Sequence, residues 1–233
     1  MNLIIVGMEY AGKTTLADEI IKWRNDLMGK PSPLGIVEYH DHFTFPWLGH
    51  WDEISEEDMA TFMSMGPQLK EMFSRYQFAY HLSDQLYRDS DHILLGFHIE
   101  DAIFAPRYYG FGKKGEYGDR SSGVRAVEME VMEKAPETVL VYLKATPEVI
   151  RERMRTTPHE RTHLQDEHID EMIEEFDYHV GHSLLRNRIV LDTSEATVEQ
   201  TIAGFVEQMG PLMSHEDRVR MQAHAILKGA ARA

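Results

Sequence analysis

The chain's 233 residues, 42% apolar and 27% charged, suit one large α/β domain and exclude disordered and collagen-like classes. Lys and Arg number 24 against 39 Asp and Glu, and the resulting charge of −15 disfavours duplex nucleic acid as a partner because it repels a phosphate backbone. No apolar run approaches the roughly 18 residues of a membrane span, the start does not read as a signal peptide, and the lack of cysteine excludes disulfides and thiolate metal sites, so a cytoplasmic protein with no membrane partner is expected.

In chain order, Leu3–Val6 is a short apolar strand that turns at Gly7. Leu16, Ile20, Ile21 and Leu27 then mark a helix ending near Gly29, ahead of Pro31 and Pro33. A second strand is expected over Leu34–Glu38, and the aromatic segment from His40 to Glu53 is expected to be irregular. Helices follow over Glu56–Met65 and Gln68–Arg88. His92–Phe97 is apolar almost throughout, as in a strand buried on both faces. A mixed stretch through Tyr108–Gly112 precedes a helix over Val124–Lys134. Thr138–Leu143 is a strand, Pro147–Arg155 begins a helix, and Gln165–Arg186 is a long helix whose run Asp166–Asp177 is a solvated acidic face. Arg188–Leu191 is the last strand and Glu195–Met209 the closing helix, while the chain from Ser214 looks helical but weakly anchored. Such alternation demands parallel strands with helices on both faces, here a sheet of about five strands. One domain is expected over 1–210, followed by a helical tail over 211–233.

The sharpest signal is Gly7-Met8-Glu9-Tyr10-Ala11-Gly12-Lys13-Thr14-Thr15, which matches G-x-x-x-x-G-K-[ST] between a strand and a helix. Gly7 and Gly12 let backbone N–H groups, that of Ala11 among them, close around phosphate oxygens, and the helix start at Thr14 and Thr15 adds its dipole. Lys13 can reach the β- and γ-phosphates, and the Thr14 hydroxyl can ligate Mg²⁺. The expected ligand is a nucleoside triphosphate on a P-loop NTPase fold. A guanine-reading Asn-Lys-x-Asp is missing, and the third strand does not end in Asp-Glu, so a GTPase and a motor ATPase are both disfavoured. The short chain and the arginines at 151, 153, 155 and 161 favour a small-molecule kinase with a lid over about 151–165.

Several blocks beyond the loop resemble the deoxynucleoside kinases, with thymidylate kinases as near relatives. Glu100-Asp101-Ala102-Ile103-Phe104-Ala105-Pro106-Arg107-Tyr108 looks like that family's Glu-Arg-Ser segment. Val141 through Val149, with Glu152-Arg153-Met154-Arg155, looks like its strand, Thr-Pro-Glu turn and lid start. Val190-Leu191-Asp192 resembles its terminal strand. The resemblance implies transfer of the γ-phosphoryl group of ATP, with Mg²⁺, to the 5′-hydroxyl of a nucleoside-like acceptor, in a homodimer. It sets Glu38 as the catalytic carboxylate, Gln77 as a base reader, and Arg107 near the acceptor. The family's arginine after Glu100 is Asp101 here, a departure that alters the charge at the acceptor's reacting end.

Read from the residues, Glu38 would lie close to the loop across adjacent strand ends and take the hydroxyl proton, with Asp41 as its competitor on the acceptor side. Arg153 and Arg155 are the lid guanidiniums expected at the phosphates. Glu100 is a candidate for holding Mg²⁺ or its waters. Tyr76, Phe78 and Tyr80, with Phe43, Trp47 and Trp51, are candidates for stacking on a ring or are core. His40 and His42, and the i,i+4 pair His159 and His163, are expected to be incidental rather than zinc sites. The rival readings are a thymidylate-kinase-like enzyme for nucleoside monophosphates, a kinase of a modified nucleotide or other small molecule, and an ATP-binding regulatory protein.

Overall fold

A computed structural model of the protein describes residues 1–30, 37–40, 44–47, 50–53, 55–89, 91–159 and 162–230; of 37–40, 44–47, 50–53, 85, 88 and 89 only the backbone is described. Strand β1 (Asn2–Gly7) leads through the loop into α1 (Lys13–Met28), followed by β2 (Val37–His40) and the strands β3 (Thr44–Trp47) and β4 (His50–Glu53). Next come α2 (Glu56–Ser64), α3 (Pro67–His81), α4 (Asp84–Asp89), β5 (His92–Leu95) and α5 (Phe97–Phe104), which runs on as a wider turn over Ala105–Tyr109. The rest is α6 (Gly123–Lys134), β6 (Val139–Lys144), α7 (Pro147–Thr156), α8 (Ile169–His182), β7 (Arg188–Asp192), α9 (Val198–Leu212) and α10 (His215–Ala230).

Five strands form one parallel sheet in the order β2-β5-β1-β6-β7. Every residue of β1 is buried, as its central place and apolar sequence require. The edge strand β7 instead alternates, with Ile189 and Leu191 inward and Arg188, Val190 and Asp192 outward. Helices α1, α9 and α10 pack together in one layer, and α5, α6 and α8 in the other. Because neighbouring strand order reverses beside β1, the loop after β1 opens at the carboxyl ends of the strands, where open α/β sheets hold ligands.

Several element boundaries differ from the sequence reading, each for a physical reason. The second strand is Val37–His40 rather than Leu34–Glu38, whose residues 34–36 lie outside those described. The segment expected to be irregular contains the antiparallel pair β3–β4, whose Thr, Phe and Trp suit extended backbone. The helix expected over Gln68–Arg88 breaks at Leu82 and restarts as α4 beyond Ser83, a residue that favours helix starts over interiors. The helix expected over Gln165–Arg186 is a 3₁₀ turn at Asp166–His168 followed by α8, and it stops at Ser183 because the buried Glu128 carboxylate captures the Ser183 hydroxyl at 2.6 Å and the Leu184 N–H at 2.7 Å.

The last helix is firmly docked rather than weakly anchored. α10 lies against α1, and Lys228 donates to the Asp26 carbonyl at 2.7 Å. Beneath it, Asp91 is 3% exposed and pairs with Arg24 Nη2 at 2.5 Å and Arg220 Nη1 at 2.8 Å, with the Met1 amine also at 2.5 Å. Burial would push the Asp91 carboxyl up, but the surrounding cations outweigh it and hold the pKa below its ordinary value. Arg24 is itself 1% exposed, so the cluster satisfies a cation that α1 carries on its buried face. Asp91→Ala should destabilise the fold by about 3 kcal/mol by leaving buried guanidinium unpaired. Chemical denaturation checks this, and the wild-type advantage should fade only as pH falls below the ordinary carboxylate value of about 3.9.

Candidate active site

The loop between β1 and α1 bends through residues that few side chains tolerate. Gly7 passes so close to β6 that a Cβ there would meet the Leu143 carbonyl oxygen at 2.5 Å. Gly12 has φ 94° and sits as N-cap of α1 with no side chain capping that end. The first-turn N–H groups of α1 therefore have no intrahelical acceptor and converge, with the helix dipole behind them, on one point. Tyr10 also takes a left-handed φ of 67°, held by the Ala11 N–H bonding the Met8 carbonyl at 3.1 Å. Thr14 and Thr15 are exposed at this helix start.

Lys13 Nζ is fixed above the loop by the Gly7 carbonyl at 2.6 Å, the Met8 carbonyl at 3.3 Å and Glu100 Oε1 at 2.9 Å. The same Glu100 oxygen accepts the Gly7 N–H at 3.2 Å. Glu100 owes its position to a turn that the apolar run at 92–97 concealed: β5 stops at Leu95, Gly96 and Phe97 take φ of 95° and 63°, and the helix α5 starts at once. Glu100 is thus in the first turn of a buried helix. The Gly96 N–H bonds the Ile5 carbonyl at 2.8 Å, which ties this turn to β1.

Across the loop lies α7. Arg153 Nη1 donates to the Tyr10 carbonyl at 2.9 Å and Nη2 to the Thr193 carbonyl at 2.5 Å, while the Thr193 hydroxyl bonds the Ala11 carbonyl at 3.1 Å. His159 stacks on Tyr10 with ring centroids 4.0 Å apart, and the Thr162 hydroxyl donates to Glu9 at 2.5 Å. The loop, Arg153, His159 and Thr193 wall a cleft of about 540 Å³ that runs from Lys13 and Thr14 past Arg153 to Thr193 and Val198. Of the other arginines, Arg155 is 72% exposed and pairs with Glu152, and Arg151 pairs with Asp166 and Asp170, so neither is in the cleft. Arg161 lies outside the described residues. Arg107, expected near the acceptor, points to α8 and grips Glu175 with two bonds of 2.8 Å. His163 meets Tyr109 edge-on, whereas His159 stacks on Tyr10.

The register of the sheet sets Glu38 back from the level of the loop. Glu38 pairs with Ile93, and Ile93 with Leu3, so Glu38 stands four residues short of the level of Gly7, about 13 Å back along the strand. Proximity at the strand ends therefore does not favour Glu38. Its competitor Asp41 directly follows His40, the last residue of β2, and lies outside the described residues, as do His42 and Phe43.

Helix α3 is turned polar side in. Lys70, Glu71, Ser74, Gln77 and His81 are its buried residues, whereas Leu69, Met72 and Tyr76 are exposed. Gln77 is 4% exposed on this inner face, and Phe78 packs on Phe97 at 5.1 Å. Asp101, adjacent to Glu100, accepts from the Ser74 hydroxyl at 3.0 Å and from Arg120 Nε at 2.5 Å. Arg120 also reaches Glu71 and Ser74 at 3.2 Å each and lies over the Phe111 ring at 5.0 Å. Burial would raise the Glu71 pKa, but Arg75 and Arg120 outweigh it and the carboxyl stays below its ordinary value. Nothing in the sequence marked Arg120, which belongs to a glycine-rich turn and meets its partners only through the fold.

No family model matches the chain, and no curated protein matches it. Solved structures share its fold. A deoxyadenosine kinase from M. mycoides with bound dATP is 14% identical, with 90% of this chain and 100% of that chain covered and a TM-score of 0.58. A thymidylate kinase from Ehrlichia chaffeensis is 10% identical over 90% of this chain and 98% of that chain, with a TM-score of 0.51. A gluconokinase from Sinorhizobium meliloti 1021 is 11% identical over 91% and 92%, also at 0.51. The chain therefore has the α/β fold of P-loop small-molecule kinases, as the motifs implied.

Arg153 bonds the loop itself while Arg155 faces solvent, so the two should separate in binding. Under the expectation of a nucleoside triphosphate ligand from the loop motif, Arg153→Ala should weaken its binding by about tenfold or more, the worth of a charge-assisted contact, and Arg155→Ala should change it by less than about twofold; titration calorimetry with ATP reads both.

Proposed function

We propose that this chain is a kinase that moves the γ-phosphoryl group of ATP to a hydroxyl of a nucleoside-like acceptor. The observation that carries the reading is the closure of the β1–α1 loop by Lys13 and Glu100 next to the unpaired amides of α1. Amides of residues 12–15 take the phosphate oxygens, and Lys13 bridges to the β- and γ-phosphates. Arg153 adds charge from the other wall of the cleft. Mg²⁺ suits the donors present, because it keeps several waters and phosphate oxygens and needs few protein ligands. Thr14, exposed at the start of α1, and Glu100 would hold the ion or its waters, and the ion would neutralise charge on the transferred group.

The general base in this reading is Asp41, which follows the end of β2, rather than Glu38. Asp41→Asn should lower kcat by about a hundredfold or more with ATP binding unchanged, and Glu38→Gln should leave kcat within about threefold. Transfer of labelled phosphate from ATP to a panel of nucleosides, read alongside nucleotide calorimetry, checks both. A loss confined to Glu38→Gln would restore the base to the strand interior, and ATP binding with no transfer to any acceptor would favour the regulatory reading.

A further inference from the structure

Helix α3 turns its acid inward, and the face it leaves outside carries no carboxylate. Gln68, Leu69, Met72, Arg75, Tyr76 and Ala79 are exposed along it, in a chain whose net charge is −15. Leu69, Met72 and Tyr76 follow the i, i+3, i+7 spacing of one helix stripe and are 49%, 61% and 62% exposed. Beside the start of this stripe opens a groove of about 560 Å³, walled by Pro67, Gln68, Leu69, Phe111, Glu116 and Tyr117. Leu69 belongs to both the stripe and the groove, which joins them into one patch. Single exposed apolar residues need no explanation, but a joined patch rimmed by polar groups marks a docking surface. The charges at its rim complement each other. Arg75 gives Nε and Nη2 to Glu71 Oε1 at 3.1 and 2.7 Å, and its Nη1 has no hydrogen bond among the described residues. Glu116 lines the groove, and its carboxylate has no ion-pair partner among the described residues.

We propose that this face binds a second copy of the chain, the two α3 helices packing antiparallel about a two-fold axis at Met72. Such a contact is isologous: whatever one copy presents, the other presents in reverse order. About Met72, Tyr76 of one helix stands level with Gln68 of the other, and Arg75 with Leu69. Arg75 and Tyr76 of the second copy therefore arrive where the groove opens. Tyr76 covers Leu69, and the open Nη1 of Arg75 meets the Glu116 carboxylate on the groove wall. Arginine suits this place because its plane also stacks on an aromatic ring, here that of Tyr117. At the axis Met72 meets its own copy, so the centre of the contact is apolar and its edge is charged, as in other protein interfaces. The face itself supplies both halves of each pair, which is why the occupant is a second copy rather than an unrelated partner. An acidic chain repels its own copy, and a helix face free of carboxylates removes that repulsion at the contact.

The inference does not depend on the kinase reading, and neither does its test. Sedimentation velocity over about 1 to 100 µM reads the mass against the 27.0 kDa of one chain. The wild type should sediment as a dimer. M72E and M72K should each be monomers, because one substitution sets like charge against itself at the axis, whereas an equimolar mixture of the two should recover the dimer. Met72 is exposed in the single chain, so both variants keep the fold, and an unchanged circular dichroism spectrum checks this. E116Q should weaken the dimer by about tenfold, the joint effect of both symmetric ion pairs, and raised salt should weaken the wild type more than E116Q. L227E, at an exposed apolar residue of α10, should leave the mass unchanged. A wild type that stays monomeric at about 100 µM overturns the proposal. So does a dimer that survives both M72E and M72K, or a mixture of the two that stays monomeric. A dimer lost in L227E places the interface on α10 and overturns it as well.

Discussion

One carboxylate closes the site. Glu100 accepts the N–H of Gly7 and the ammonium of Lys13, and by doing so joins the end of β1, the start of α1 and the first turn of α5. A glycine at position 7 is required because β6 passes within contact of where its side chain would be. The sheet thus dictates the loop's path, the loop leaves its amides facing outward, and the carboxylate from the neighbouring strand's helix sets the lysine over them. Removing any of the three elements would leave the lysine without its fixed place over the loop.

The opposite wall follows the same logic with different chemistry. Arg153 does not merely hang over the cleft; it is bonded to the loop's own Tyr10 carbonyl and to Thr193 after β7, which ties α7 to the segments following two strand ends. Tyr10 and Glu9, the variable positions of the loop motif, reach His159 and Thr162 beyond α7. The residues a motif leaves unspecified are here the ones that attach the loop to its cover.

Charge inside the fold is handled in closed clusters. Asp91 with Arg24 and Arg220, Glu128 with His98, and Arg120 with Glu71 and Asp101 each bury ionisable groups against partners from distant segments. A buried charge must be paired in this way or leave the interior, since an uncompensated one is too costly to keep. This explains why helices with weak apolar stripes still dock. α3 turns Lys70, Glu71, Ser74 and Gln77 inward and leaves Leu69, Met72 and Tyr76 outside, the reverse of an ordinary surface helix.

Local pattern was enough for the alternation of strands and helices, for the parallel sheet, and for the strand–loop–helix turn at residues 7–15, because each depends on residues adjacent in sequence and on hydrophobic period. The place of Arg153 beside the loop was legible for a similar reason, since it lies within a compact arginine-rich helix. The strand register was not, and it sets Glu38 four residues short of the level of Gly7, since pairing is fixed by neighbours far away in the chain. The turn at Gly96 and Phe97 was hidden because a strand and a buried helix start share one apolar run. Nor could sequence assign Arg107 to Glu175 or Arg120 to Asp101: which charges meet is settled by where separate helices pack, and burial then enforces the pairing.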